Sequence, residues 1–213
     1  MTFDTNVFNA FNENAEKYFQ HFQQDSQYHA WYQKFADLIN PKGQLLDVGC
    51  GPGLFTGYLR SQLPTLQITG IDLSPKMIEL AKKHVPKANF KTLNSNNIKS
   101  LNQHFHAVSN NFVIPYLTHK EAEELIKNCG KLLNPKGHLM LAWISHLTLQ
   151  QEVSTSSDGK HKLTMYYHQL DDIKSLLSDL GMTIGFCHQQ IEPLSQKTEV
   201  CLIAQKACKT IQA

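Results

Sequence analysis

Several common features are missing from this chain, and each absence narrows what it can be. No apolar run approaches the ~20 residues that a membrane-crossing helix needs. The stretch from Met1 to Phe19 has no charged start leading into an unbroken apolar segment, so no secretory leader is expected. There is no long basic run, and the formal net charge is only +2, whereas nucleic-acid binders concentrate positive charge on one face. The 5 cysteines (Cys50, Cys129, Cys187, Cys201 and Cys208) are odd in number and form no CxxC pair, which points to reduced thiols in a cytoplasmic protein. The 11 histidines are scattered without an HExxH or similar spacing, so no metal site is expected.

What is present describes one soluble domain. With 213 residues, 41% hydrophobic and 18% charged, the chain can bury a single well-developed core. Residues 1–40 read as a helical cap. Phe8, Phe11, Ala15, Tyr18, Phe19 and Phe22 recur at three- and four-residue spacings, and a second helix from about His29 to Ile39 carries Trp31, Phe35 and Leu38. After Pro41-Lys42-Gly43, strands and helices alternate through residues 44–206. Strands are expected at Gln44–Val48, Gln67–Asp72, Asn89–Leu93, within Phe105–Val113, at His138–Ile144, Met182–His188 and Glu199–Gln205.

Ser74-Pro75 should cap one helix, Thr118-x-x-Glu121 should box the start of another, and a helix near Leu170–Leu180 should stop at Gly181. Residues 145–167 are less regular, with a turn in the Ser154–Gly159 stretch. Strand–helix alternation implies a three-layer αβα sandwich around a seven-stranded, mostly parallel sheet. The loop at Pro193 is too short for a parallel crossover, so the last strand should run antiparallel.

The chemistry concentrates at Leu45-Leu46-Asp47-Val48-Gly49-Cys50-Gly51-Pro52-Gly53. A glycine-rich loop between a strand and a helix lets backbone approach a ligand closely. The spacing is GxGxG, and the GxGxxG of dinucleotide-binding oxidoreductases fails at Leu54 and Thr56, which disfavours a nicotinamide cofactor. Asp72 stands at the end of the second strand, 25 residues after Asp47.

LLDVGCGPG resembles the first motif of class I S-adenosylmethionine-dependent methyltransferases. GIDLSPKMIELAKK, residues 70–83, is similar to their second motif, and LLNPKGHLMLAW, residues 132–143, to the segment around their fifth strand. The resemblance covers roughly residues 44–206. It implies S-adenosyl-L-methionine as cofactor, with Gly49, Cys50, Gly51 and Gly53 against it, Asp47 near its methionine amino group, and Asp72 accepting the ribose hydroxyls beside Leu73 and Met77. Asp72 could instead merely cap the next helix.

Many relatives carry an aspartate for the adenine where this chain has Asn94 and Ser95, which serve either as its replacement or as a plain polar turn. Asn110 is placed to border the methionine part through its backbone. His106 fits a structural or solvent-facing role, and His119 fits the first turn of a helix. The Asn/Asp-Pro-Pro-aromatic sequence of amide methyltransferases is missing at Asn110–Val113. The implied reaction is therefore methyl transfer to a small-molecule acceptor, with Tyr18, Tyr116, Tyr166 and Tyr167 as pocket candidates and no general base named. A protein or RNA methyltransferase and a non-catalytic cofactor-binding protein are the alternatives.

Overall fold

The computed structural model describes residues 4–191 and 197–208. Helices α1 (Thr5–Glu13), α2 (Ala15–Phe22) and α3 (His29–Ala36) lead into an alternating core. That core runs β1 (Gln44–Val48), α4 (Leu54–Gln62), β2 (Gln67–Asp72), α5 (Pro75–His84), β3 (Asn89–Thr92), β4 (Phe105–Asn111), α6 (His119–Leu132) and β5 (Leu133–His146). It ends with β6 (Gln151–Thr155), β7 (Lys162–Tyr166), α7 (Leu170–Asp179), β8 (Met182–Ile191) and β9 (Lys197–Lys206).

The main sheet has seven strands in the order β3-β2-β1-β4-β5-β9-β8. Strands β3, β2, β1, β4 and β5 are mutually parallel, and β9 runs antiparallel between β5 and β8. The expected seven-stranded sheet and its reversed last strand are both present. The connecting segment at Pro193 lies outside the described residues.

Strand alternation divides the core into two layers. Along β5, Leu139, Leu141 and Trp143 face α6 and α7, while Met140 and Ala142 join Trp31, Phe35, Phe55 and Leu59 from α3 and α4. All of these residues are buried, as a sheet covered on both faces requires. Going outward from β1, the chain proceeds to β2 and β3 on one side and to β4 and β5 on the other. The crevice at the carboxyl ends of β1 and β4 is the place where open α/β sheets hold ligands.

Local signals explain most helix starts. Ser74 Oγ accepts from Met77 N at 3.1 Å with Pro75 in the first turn of α5. Both arms of the Thr118/Glu121 capping box are made at α6.

Four expectations change. The long first helix is broken at Asn14 (φ −100°, ψ 13°), which ends α1 and starts α2. The second helix ends at Ala36 rather than Ile39. Strand β5 begins at Leu133, before the Pro135-Lys136-Gly137 turn, because that turn is a bulge within the strand, with Lys136 at φ +63°. The irregular stretch after β5 is a separate antiparallel hairpin, β6–β7, whose tip is the Ser154–Gly159 turn.

Candidate active site

The glycine loop leaves β1 by turning back on the neighbouring strand. Gly49 N and Cys50 N both donate to the Ile71 carbonyl, at 2.8 and 2.9 Å. The turn needs left-handed backbone at Gly49 (φ +69°) and Gly51 (φ +52°), which costs other residues on the order of 1–2 kcal/mol. A Cβ on Gly49 would stand 2.1 Å from Val113 Cγ2, whereas one on Gly51 would point into open space.

Asp72 lies opposite. Its Oδ2 accepts from Gly51 N at 2.9 Å and its Oδ1 from Ser74 N at 2.8 Å. A carboxylate offers about four acceptor sites, so lone pairs remain for a diol. Asp47 is 1% exposed, beneath the loop. Thr56 Oγ1 and Ser109 Oγ donate to its two oxygens at 2.8 and 2.9 Å. Burial raises its pKa to about 6 against the lowering effect of those two hydroxyls. Burial also raises the pKa of Asp72.

A cavity of about 820 Å³ opens from this loop toward the N-terminal helices. Asp47, Gly49, Cys50, Gly51, Asp72, Leu73, Met77, Asn94 and Ser95 line one part of it, and Tyr18, Tyr116 and Tyr166 line another. Twelve of the sequence candidates thus converge on one space.

Three candidates are placed elsewhere. Gly53 is the N-cap of α4 and does not line the cavity; a Cβ there would meet Ala81 of α5 at 3.2 Å, so it serves helix packing. Asn110 is buried away from the cavity, and the lining residue is Asn111, because neighbouring strand residues face opposite sides. Tyr167 is fully buried outside the cavity, donating its hydroxyl to Glu152, while Tyr166 faces in.

Asn94 forms the polar turn and also faces the cavity. Its Oδ1 caps a 3-10 turn over Ser95–Leu101 by accepting from Asn96 N at 2.9 Å, yet the residue also lines the cavity. His106 is structural, its Nδ1 accepting from Gln44 N at 3.1 Å. His119 occupies the first position of α6, with its Nδ1 3.1 Å from Nδ1 of buried His168. His168 Nε2 must donate to the Ile114 carbonyl at 2.8 Å, so in the neutral pair His119 Nδ1 is the donor.

Several lining residues were not named from the sequence. Phe112 holds φ +58°, a strained conformation for a bulky side chain, with its N–H donating to Ala142 O at 2.7 Å. Asn111 keeps both amide atoms buried and without a partner among the described residues. Tyr28 and Glu199 meet at 2.7 Å across 171 residues of chain. No spacing rule brings those two together. The same holds for Glu13, Asp158 and His161, whose ligand atoms lie within 4.8 Å of one another where α1 meets the β6–β7 hairpin. That group stands outside the cavity lining.

A mostly parallel sheet with a glycine loop and an acid at the end of β2 defines a domain that grips a nucleoside-bearing cofactor. The family model described as a methyltransferase domain matches residues 45–137. The malonyl-[acyl-carrier protein] O-methyltransferase of Priestia megaterium is 28% identical over 190 residues, covering 87% of this chain and 68% of that protein. The trans-aconitate 2-methyltransferase of Shigella dysenteriae is 29% identical over 147 residues, covering 65% of this chain and 56% of that protein. The magnesium protoporphyrin IX methyltransferase of Synechocystis PCC 6803, solved with bound S-adenosylhomocysteine, has the same fold. Its TM-score is 0.72 at 18% identity, over 94% of this chain and 98% of that one. The chain is a class I S-adenosylmethionine-dependent methyltransferase, and its cofactor is S-adenosylmethionine. Among the described residues, no helix is long and apolar enough to cross a membrane.

Proposed function

We propose that the protein transfers the methyl group of S-adenosylmethionine to a small-molecule acceptor held under its N-terminal helices. The helical cap of residues 1–40 and the core of residues 44–206 act in this reading as one domain. The observation that carries it is the continuity of the cavity, which runs from the glycine loop and Asp72 to a wall built from Phe11, Tyr18, Tyr116 and Tyr166. A space of about 820 Å³ is of the size expected for small-ligand pockets.

The residues present fit the cofactor. The open space beside Gly51, the remaining lone pairs of Asp72 and the unpartnered amide of Asn111 all suit a polar ligand. Asp72 would hold the ribose hydroxyls, buried Asp47 would balance the methionine amino group, and Asn94 and Ser95 would border the adenine. When bound, the cofactor supplies a methyl group on a good leaving group. The protein then has to align the acceptor, exclude water and hold both partners, and such positioning can supply much of the rate.

The test is incubation with methyl-labelled S-adenosylmethionine and fractionated cell extract. Label in a low-molecular-mass product is expected. Label confined to protein or RNA would replace this reading with the corresponding macromolecular one. Tight S-adenosylhomocysteine binding without any transfer would leave a binding protein.

A further inference from the structure

We infer that the acceptor is an amine with an apolar or aromatic body, held through its ammonium by Glu199; this rests on the methyl-transfer reading of the same cavity. Charge is the first ground. Six carboxylates line the cavity, those of Asp4, Asp25, Asp47, Asp72, Glu121 and Glu199, and its described lining residues include no lysine or arginine. Asp47 and Asp72 belong to the glycine loop. Asp4 accepts from Asn6 N, Asp25 from Gln27 N, and Glu121 from Thr118, so these three are engaged in local caps and turns.

Each of these three also keeps one oxygen that accepts nothing among the described residues; Glu199 differs in being engaged far from its own segment, by a residue 171 positions away. Its Oε1 accepts the Tyr28 hydroxyl at 2.7 Å, and its Oε2 accepts no hydrogen bond among the described residues. Lys197, two positions earlier on β9, is paired with Glu152 at 3.0 Å and does not line the cavity. Glu199 is half-buried and lines the cavity, so its Oε2 can accept from a cationic donor there.

Position is the second ground. Glu199 pairs in register with Ile144 of β5, which also lines the cavity. On β9 it therefore stands beyond β4 and β5, three strands from the β1 loop that would grip the cofactor. The surrounding wall is aromatic. Tyr28 lies 5.0 Å from Phe112 and Tyr18 lies 4.6 Å from Phe22, centroid to centroid. Ring faces attract ammonium groups and also accept a flat apolar body.

The step balances without a further reactant. Glu199 holds the ammonium and accepts one proton from it, and water carries that proton away. The freed nitrogen lone pair attacks the methyl carbon as the carbon–sulfur bond breaks, with its electron pair remaining on sulfur. The positive charge passes from sulfur to the methylated nitrogen. A carboxylate acceptor would meet Glu199 as a like charge.

Calorimetric titration of the S-adenosylhomocysteine complex tests this, using 2-phenylethylamine and tryptamine against 3-phenylpropionate and trans-aconitate. The amines should bind and the acids should not. Glu199→Gln keeps an oxygen for Tyr28 and removes the charge; it should weaken amine binding at least tenfold while S-adenosylhomocysteine affinity stays within twofold. With methyl-labelled S-adenosylmethionine, the wild-type protein should label an amine. Binding or methylation of the acids in place of the amines overturns the proposal, and so does amine affinity that Glu199→Gln leaves unchanged. S-adenosylhomocysteine binding with no amine binding overturns this inference alone, whereas failure of S-adenosylhomocysteine to bind overturns the methyl-transfer reading with it.

Discussion

The two ends of the cavity are built from different materials. The end beside β1 is mainly backbone: Gly49 N and Cys50 N are tied to Ile71 O, and Gly51 N to Asp72. Everything there lies within about one βαβ unit of sequence. The end beneath the cap is mainly side chains, drawn from α1, α2, the start of α3, the end of β4, β7 and β9. Backbone geometry is hard to alter without losing the loop, while side chains on separate elements can change one at a time. The first end should therefore be intolerant and specific for the cofactor, and the second adjustable.

Substitutions at the rigid end should have the largest effects. Gly51→Val puts a branched side chain into the open space where the cofactor should lie, and binding should fall at least a hundredfold. The backbone strain at φ +52° costs only about 1–2 kcal/mol, so thermal melting should still show a folded protein. Normal S-adenosylhomocysteine affinity in calorimetry would mean that the loop is not a contact surface. Asp72→Ala comes next. Two hydrogen bonds to a charged acceptor, at roughly 1.5–3 kcal/mol each, predict weakening by about a hundredfold or more, and unchanged affinity in a folded variant would remove Asp72 from the site.

Asp47 adds a pH dependence of intermediate size. Burial raises its pKa from 3.8 to about 6. Between those values the folded chain keeps a proton that the unfolded chain has released. The group therefore favours folding most below pH 4, and its contribution fades as pH rises through 6. Asp47→Asn should abolish this trend, so the difference in stability between variant and wild type should shift in the variant's favour by on the order of 2 kcal/mol from pH 4 to pH 7. Denaturant melts at the two pH values measure it. A constant difference would place the Asp47 pKa near its ordinary value.

The smallest effects should come from the adjustable end. Replacing residues 150–160 with a short glycine linker should leave cofactor affinity nearly intact while impairing transfer to the acceptor. Within that region Tyr166→Ala should impair transfer, and Tyr167→Phe should not, since the Tyr167 hydroxyl donates to Glu152 outside the cavity. Equal sensitivity of the two tyrosines in acceptor kinetics would erase the distinction between the ends.

The same division decides what could be read from the sequence. The rigid end was legible because its residues are neighbours in the chain: strand Gln44–Val48, the loop, the acid at Asp72 and the Ser74 cap all stand where spacing put them. Two of the residues whose side chains lie outside the cavity follow one geometric fact. Asn110 and Asn111, and likewise Tyr166 and Tyr167, are adjacent pairs at strand ends, where a shift of one residue swaps the faces. Composition cannot tell which member points inward. Gly53 looked like a third loop contact because it shares the motif, but a Cβ there would meet Ala81 on another helix. Tyr28 with Glu199 and Glu13 with His161 join segments more than a hundred residues apart, and only the folded sheet brings them together.

The junction of α1 with the β6–β7 hairpin has a kinetic side. Helix α1, whose Phe8 and Phe11 line the cavity, is joined to the hairpin tip by Asn14 Nδ2 to Asp158 Oδ2 at 3.0 Å and by His161 to Glu13 at 3.2 Å. The Asp158 carboxyl is held well below its ordinary pKa range by Ser156, Asn14 and the Lys160 N–H, so it remains charged at any physiological pH. The His161–Glu13 contact is exposed and worth only ~0–1 kcal/mol, whereas the Asn14–Asp158 contact is part-buried, with Asn14 itself buried. Helix α1 is fastened on its other side as well, where Ser74 Oγ and Lys76 N donate to Asn12 Oδ1 at 2.8 and 3.3 Å, so parting the hairpin contacts alone would not free the roof. Exchange of molecules beneath α1 would require both fastenings to part together, and slower turnover in viscous solvent would show that this parting limits the rate.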